Sequence, residues 1–324
     1  MKETEKYLQV IDNYINELVA LKNPVNLYEP IQYIVSLGGK KVRPTLTLLT
    51  CDILKTDYNK AIHAAIALEL FHNFSLIHDD IMDQAPIRRG KITVHEKWGM
   101  NTGILSGDAL LILAYQLFEN YPPKMFQEMA ELFSKTALQV CEGQQYDIDF
   151  ESSDQVSIED YIKMIDYKTA VLLGASMKMG AIVAQESEEC KNNFYEFGRH
   201  LGIAYQLQDD YLDAFGNSSS FGKHIGGDII SNKKTFLYLK ALQNSNQNDS
   251  KKLINLFSKT PTNQDQKVKE VLSIYRDSGM IEATSSEIKK YTDLANSYLQ
   301  TIPISDEDKQ ILYNYGQVLM GREF

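Results

Sequence analysis

The chain has 324 residues, 44% of them hydrophobic, enough to bury the core of one large domain or two ordinary ones. A net charge of −10 argues against a nucleic-acid surface, which needs clustered Lys and Arg, but leaves room for a local anion site if metal ions or a few basic side chains offset the overall field. With only 8 Pro and 18 Gly, and apolar residues recurring at three- and four-residue spacing, the expected fold class is all-α.

Helical periodicity begins at 5–21, a charged amphipathic start without the apolar stretch and cleavage site of a secretory signal. It continues through 45–54, 60–83, 102–121, 126–146, 158–184, 190–215, 233–243, 268–299 and 306–320. The breaks at 37–39, 84–86, 121–123 and 216–228 hold Gly, Pro or small polar residues, and 244–250 reads as an exposed connection. The most apolar stretches, 103–118 and 169–184, are interrupted by Asp108 and Lys178, so they read as buried core helices and no membrane span is expected. Cys51, Cys141 and Cys190 are odd in number and outside metal-ligand spacing; they are expected to be reduced core residues of a cytoplasmic protein.

One pattern occurs twice, an apolar helix ending in DD-x-x-D. In LFHNFSLIHDDIMD, helical spacing gathers Asp79, Asp80 and Asp83 into one patch; in AYQLQDDYLDAFG it gathers Asp209, Asp210 and Asp213, with Gln206 on the same face. Crowded like charges destabilise a helix unless solvent or cations screen them. Either cluster alone could be a solvated helix end. Two matching clusters at the ends of apolar segments point instead to Mg²⁺, a hard cation that takes one or two carboxylates and completes its shell with water and phosphate oxygens.

An anion also needs cations. Compact basic groups occur in GGKKVRP (Lys40, Lys41, Arg43) and, just past Asp83 and Pro86, in IRRG (Arg88, Arg89), where a turn can bring both guanidinium groups to one phosphate; ordinary surface charge is the alternative. Further candidates are Lys168 and Thr169 in YKTA, and Lys223, Lys233, Lys234 and Thr235 in FGKHIGGDIISNKKT, whose Gly222, Gly226 and Gly227 suit either close approach to a ligand or a plain turn. His72 lies two helical turns before Asp79 and could donate to a phosphate or be a core histidine; His78 and His95 read as structural.

The ordered set GGKKVRP, LIHDDIMD, RRG, YKTA, QLQDDYLD and GKHIGGDIISNKKT, covering about residues 35–240, resembles the trans-isoprenyl diphosphate synthases, or polyprenyl synthetases. The resemblance implies one domain over 1–324, a bundle of antiparallel helices around a deep cavity, normally a homodimer, with the acidic motifs facing each other and three Mg²⁺ ions bound. Asp79, Asp83 and Asp209 would hold the metals, with Asp80, Asp210 and Asp213 as neighbours that hold water or basic side chains. Arg88, Lys168, Gln206, Lys223 and Lys233 match positions around the allylic diphosphate. Lys40, Arg43, His72 and Arg89 match the isopentenyl diphosphate site, and Thr169 and Gln206 match polar groups facing the developing allylic cation. Two departures are small: Lys41 stands where the family often has Arg, and NKKTFL lacks a frequent proline.

The expected chemistry is ionisation of the allylic C–O bond, attack by the isopentenyl double bond and loss of a proton, inside an apolar cavity that excludes water. Phe74, about 7 to 8 Å along the helix before Asp79, and Phe71 are candidates for the cavity floor, with the small Ser75 beside them; ordinary core packing is the alternative for both rings. This pattern resembles short-chain members making geranylgeranyl or farnesyl diphosphate. The competing readings are a class I terpene cyclase, which would not need the GGKKVRP and RRG groups, and a non-catalytic partner subunit, which would lack part of an acidic motif.

Overall fold

A computed structural model describes residues 2–153, 155–216, 226–258 and 263–321, without the side chains of residues 2 and 3. These residues are helical apart from turns and one small hairpin, and they group into two compact units, Met1–Ser134 with Ala175–Asn192 and Lys135–Gly174 with Asn193–Phe324. No described helix is long and apolar enough to cross a membrane.

The chain opens with α1 (Lys2–Leu18), α2 (Val25–Ser36), α3 (Val42–Ile53) and α4 (Ile62–Met82); strands β1 (Ile87–Arg88) and β2 (Lys91–Ile92) follow, then α5 (Val94–Trp98) and α6 (Met100–Phe118). With no Gly or Pro to interrupt it, α4 runs for 21 residues. Ala64, Ala65 and Ala67 are fully buried on it, and such small side chains let α3 and α6 pack closely. Gly107 on α6 serves the same end: a Cβ there would lie 2.4 Å from His78 Nε2. That nitrogen donates to the Ile104 carbonyl at 3.2 Å, so His78 is a packing residue.

The remaining helices are α7 (Pro123–Ser152), α8 (Ile158–Ile165), α9 (Val171–Val183), α10 (Glu188–Phe215), α11 (Gly227–Ile230), α12 (Phe236–Asn244), α13 (Gln247–Phe257), α14 (Gln264–Asp277), α15 (Met280–Thr301) and α16 (Asp306–Met320). Tyr161, Leu207, Phe236, Val271 and Tyr275 anchor the core of the second unit.

Several elements depart from the periodicity reading. Helix α2 carries a buried Pro30 as its sixth residue, where the missing amide forgoes one intrahelical hydrogen bond. The run 268–299 is two helices, because Gly279 takes a left-handed φ of 74° between them. Most of 244–250 is helix start: the Asn246 side chain accepts from the Asn248 and Asp249 amides at 2.9 and 3.0 Å and caps α13. The run 158–184 is broken by a π turn, Asp166–Ala170, between α8 and α9. Cys51 and Cys190 are buried, but Cys141 is exposed rather than a core residue. Nor is α6 buried all round, since Ile104, Leu105 and Ile112 are 39%, 59% and 57% exposed on one face.

Candidate active site

In the first unit, the tip of the hairpin consists of Arg89 and Gly90, both at positive φ (51° and 72°), the geometry that fits a two-residue turn to the twist of its strands. The turn aims neighbouring arginines differently. Arg88 reaches back to α4, where its Nε lies 2.9 and 2.8 Å from the two Asp80 oxygens and a terminal nitrogen lies 2.7 Å from Oδ1. Arg89 donates to the Gly38 carbonyl, and its guanidinium covers Gly39 so closely that a Cβ there would lie 2.7 Å from it. The glycines of GGKK and Arg89 of RRG are therefore one assembly. Lys41, in a left-handed conformation at the start of α3, is ion-paired with Asp12 of α1.

Behind these cations lies Glu69 on α4, only 5% exposed. Burial raises its carboxyl pKa, opposed by Arg43, Arg89 and Lys41 and by a hydrogen bond from Asn73. His72, one turn further on, is pushed well below the usual histidine range by burial and then by Arg43, Arg89 and Arg88, so its ring is neutral near pH 7 although part of the residue reaches solvent. Asp79 is half-buried and Asp83, which ends α4, is exposed. The Phe71 ring is buried 5.2 Å from Phe133, whereas Phe74 is half-buried, 5.5 Å from Phe71 and 4.7 Å from His78. Ser75 beside it donates to the His72 carbonyl.

The second unit contains a cavity of about 200 Å³ lined by Asp209, Asp210, Gln206, Lys168, Thr169, Lys233 and Lys234, with Asp147, Glu151 and Asp228 among the other walls. Its polar groups are already ordered. Thr169 donates to Gln206 Oε1 at 3.1 Å, and Gln206 Nε2 donates to Asp210 Oδ1 at 3.0 Å. Tyr161 donates to the other Asp210 oxygen. Lys168 is ion-paired with Asp147 at 2.6 Å. Asp213 accepts from the Asp228 amide at 3.0 Å and so fixes the start of α11. Lys234 is anchored on the Ser153 carbonyl. Lys223 and Gly222 lie outside the described residues.

Burial and the nearby Asp228 raise the Asp210 carboxyl far above the carboxylate range, against the hydrogen bonds from Tyr161 and Gln206. Beside the neutral Asp210 carboxyl, four acidic side chains and three lysines line this cavity, so a diphosphate there is short of positive charge unless cations are added. Among the described residues no three His, Cys, Asp or Glu side chains converge into a ready-made metal cage. That donor set suits Mg²⁺, whose shell is normally completed by water and phosphate oxygens.

Asp147, Tyr161, Asp228 and Glu69 are the residues that sequence reasoning missed. Glu69 precedes His72 by three residues and so shares its face, a spacing that could have marked it. Nothing local to Asp147 announces that Lys168, from another element, is its partner.

This all-helical scaffold, with paired aspartate motifs and basic loops, defines a prenyltransferase class. The chain belongs to the polyprenyl synthetase family, whose model matches residues 24–275. It is 33% identical to a geranylgeranyl pyrophosphate synthase of Geoglobus acetivorans over 91% of this chain and 90% of that one. It is 35% identical to a short chain isoprenyl diphosphate synthase of Methanothermobacter thermautotrophicus over 93% and 92%. A crystal structure of a geranylgeranyl pyrophosphate synthase superposes with a TM-score of 0.95 at 44% identity, covering 99% of both chains. The protein is thus a short-chain trans-prenyltransferase acting on isoprenyl diphosphates, in a family that uses magnesium.

Proposed function

We propose that the protein condenses isopentenyl diphosphate with an allylic diphosphate and makes geranylgeranyl diphosphate. The observation that carries this reading is the ordered chain Thr169–Gln206–Asp210, set beside Lys168 and Asp209 in one cavity. It is a polar wall built for a phosphate-bearing ligand next to the apolar side chains of Met164, Ile165 and Phe150.

In this reading Asp79, Asp83 and Asp209 hold Mg²⁺, three ions by resemblance, with Asp80, Asp210 and Asp213 behind them. Bound there, the metal supplies Lewis-acid neutralisation of the diphosphate leaving group. Lys168 and Lys233 bind diphosphate oxygens. Because the Thr169 hydroxyl donates its proton to Gln206, its lone pairs are left to face the allylic carbon as positive charge develops. The apolar walls exclude water from that cation. Attack by the isopentenyl double bond leaves a tertiary cation, and the proton lost from the carbon beside it, whose C–H pair becomes the new double bond, passes to the released diphosphate.

Lys40, Arg43, Arg89 and the neutral His72 receive isopentenyl diphosphate; the locked Gly38–Arg89 assembly supports this, and such a second anion site counts against a cyclase. Phe74 forms the floor that stops growth at twenty carbons, backed by the buried Phe71, with Ser75 leaving room beside it. The chain works as one domain over 1–324, a reading supported by a family model that takes in segments of both compact units. It forms a homodimer; the exposed face of Ile104, Leu105 and Ile112 supports a covering partner and sizing of the pure protein tests it.

The test is to incubate the pure protein with Mg²⁺, labelled isopentenyl diphosphate and farnesyl diphosphate and resolve products by chain length. A twenty-carbon product is expected. No elongation of farnesyl diphosphate or any shorter allylic starter would overturn the reading.

A further inference from the structure

Lys168 and Thr169 both sit on the π turn Asp166–Ala170, an under-wound turn that seldom persists without outside support. Support comes from α7 and α10. A Cβ on Gly143 of α7 would lie 2.3 Å from the Lys168 amide nitrogen, and one on Gly202 of α10 would lie 2.7 Å from the Ala170 Cα, so bare helix backbone presses on the turn from both. At its first residue, Asp166 is 5% exposed and takes two hydrogen bonds from Arg199, at 2.7 and 2.6 Å. Arg199, Gly202 and Gln206 recur at three- and four-residue spacing along one face of α10. They meet Asp166, Ala170 and Thr169 respectively.

We propose that Asp166 and Arg199 are positioning residues, whose ion pair locks the π turn in the register that presents Lys168 and Thr169 to the allylic diphosphate. The proposal rests on the reading of the cavity as the allylic site. Its physical basis is geometric. If the turn rewound as α-helix, the register would slip by one residue, which rotates a side chain about 100° around the axis and would take Lys168 off Asp147 and Thr169 off Gln206. The glycines only make room for the turn; the charged fork at Asp166 sets where it starts. The pair touches no reacting atom and acts only through the two residues it places.

Steady-state kinetics with each substrate varied in turn test this. Arg199→Gln and Asp166→Asn should each raise KM for the allylic diphosphate, or lower kcat, by about 10- to 100-fold, with KM for isopentenyl diphosphate unchanged. Arg199→Lys, which keeps the charge without the fork, should recover part of the loss. Should Asp166→Asn fail to fold, Arg199→Gln carries the test, since the Arg199 side chain is 33% exposed. Wild-type allylic KM and kcat in Arg199→Gln overturn the proposal. So does an equal rise in both KM values that follows lost thermal stability, the signature of a purely structural pair. Lys168→Ala separates this from the site assignment. Normal kinetics in Lys168→Ala would remove the allylic site from the cavity and the proposal with it, whereas a defect there beside a normal Arg199→Gln would remove the lock alone.

Discussion

Arg88 grips Asp80 with both carboxylate oxygens engaged, and the Asp80 side chain is only 2% exposed while that of Arg88 is 26% exposed. Three aspartates of one motif are therefore not equivalent: Asp80 closes a buried ion pair between α4 and the hairpin, whereas Asp79 is half-buried and Asp83 open to solvent. Removing one partner of a buried pair strands the other charge.

Asp80→Ala should accordingly lower unfolding stability by about 3 kcal/mol. Asp79→Ala and Asp209→Ala should abolish turnover while staying within about 1 kcal/mol of wild type. Urea unfolding beside the prenyl-transfer assay checks both, and a stable Asp80→Ala would show that Arg88 finds a replacement partner.

Gly39→Ala should damage the isopentenyl diphosphate site selectively. The residue sits at φ 134° and its Cβ would press on the Arg89 guanidinium at 2.7 Å. A rise of about tenfold in KM for isopentenyl diphosphate is expected from displacing one charged contact, with the allylic KM unaltered. Equal effects on both substrates would mean that the loop serves the fold alone.

His72 predicts a pH dependence of stability. Its folded pKa is held well below the usual value of about 6.5. Above that pH both folded and unfolded forms are neutral there and the residue contributes no slope. As pH falls below it, the unfolded chain takes up a proton that the folded one does not, so stability falls. Urea unfolding at pH 5 and pH 7.5 should show a smaller difference for His72→Gln than for wild type; identical differences would place the cause elsewhere.

Phe74→Ala should lengthen the product by one or more five-carbon units, read by chromatography of the hydrolysed prenyl alcohols. Phe71→Ala should instead cost about 3 kcal/mol of stability, because Phe71 is 1% exposed and packed on Phe133. An unchanged product from Phe74→Ala would put the floor in another side chain.

The helical class, the two aspartate motifs and the basic loops were all legible from residue order, because each depends on spacing within one stretch of chain: three- and four-residue steps, a Gly-Gly break, a residue type. The π turn was not, since YKTA continues the helical period on both sides and the residues that pack against the turn, Gly143, Gly202 and Arg199, lie on other helices. The same limit explains α13, where an Asn-rich stretch looks like a connection until the position of Asn246 at a helix start is known.

The sequence by itself determined what kind of chemistry the chain performs, because that chemistry needs particular groups in a particular order. Tertiary structure alone decided which of those groups are free to act. It buried Asp80 under Arg88, spent Asp213 on fixing the start of α11, laid Arg89 over Gly39 and neutralised His72. The physical reason is that partner choice, burial and local field are set by side chains distant in sequence, and no periodicity within one helix encodes them.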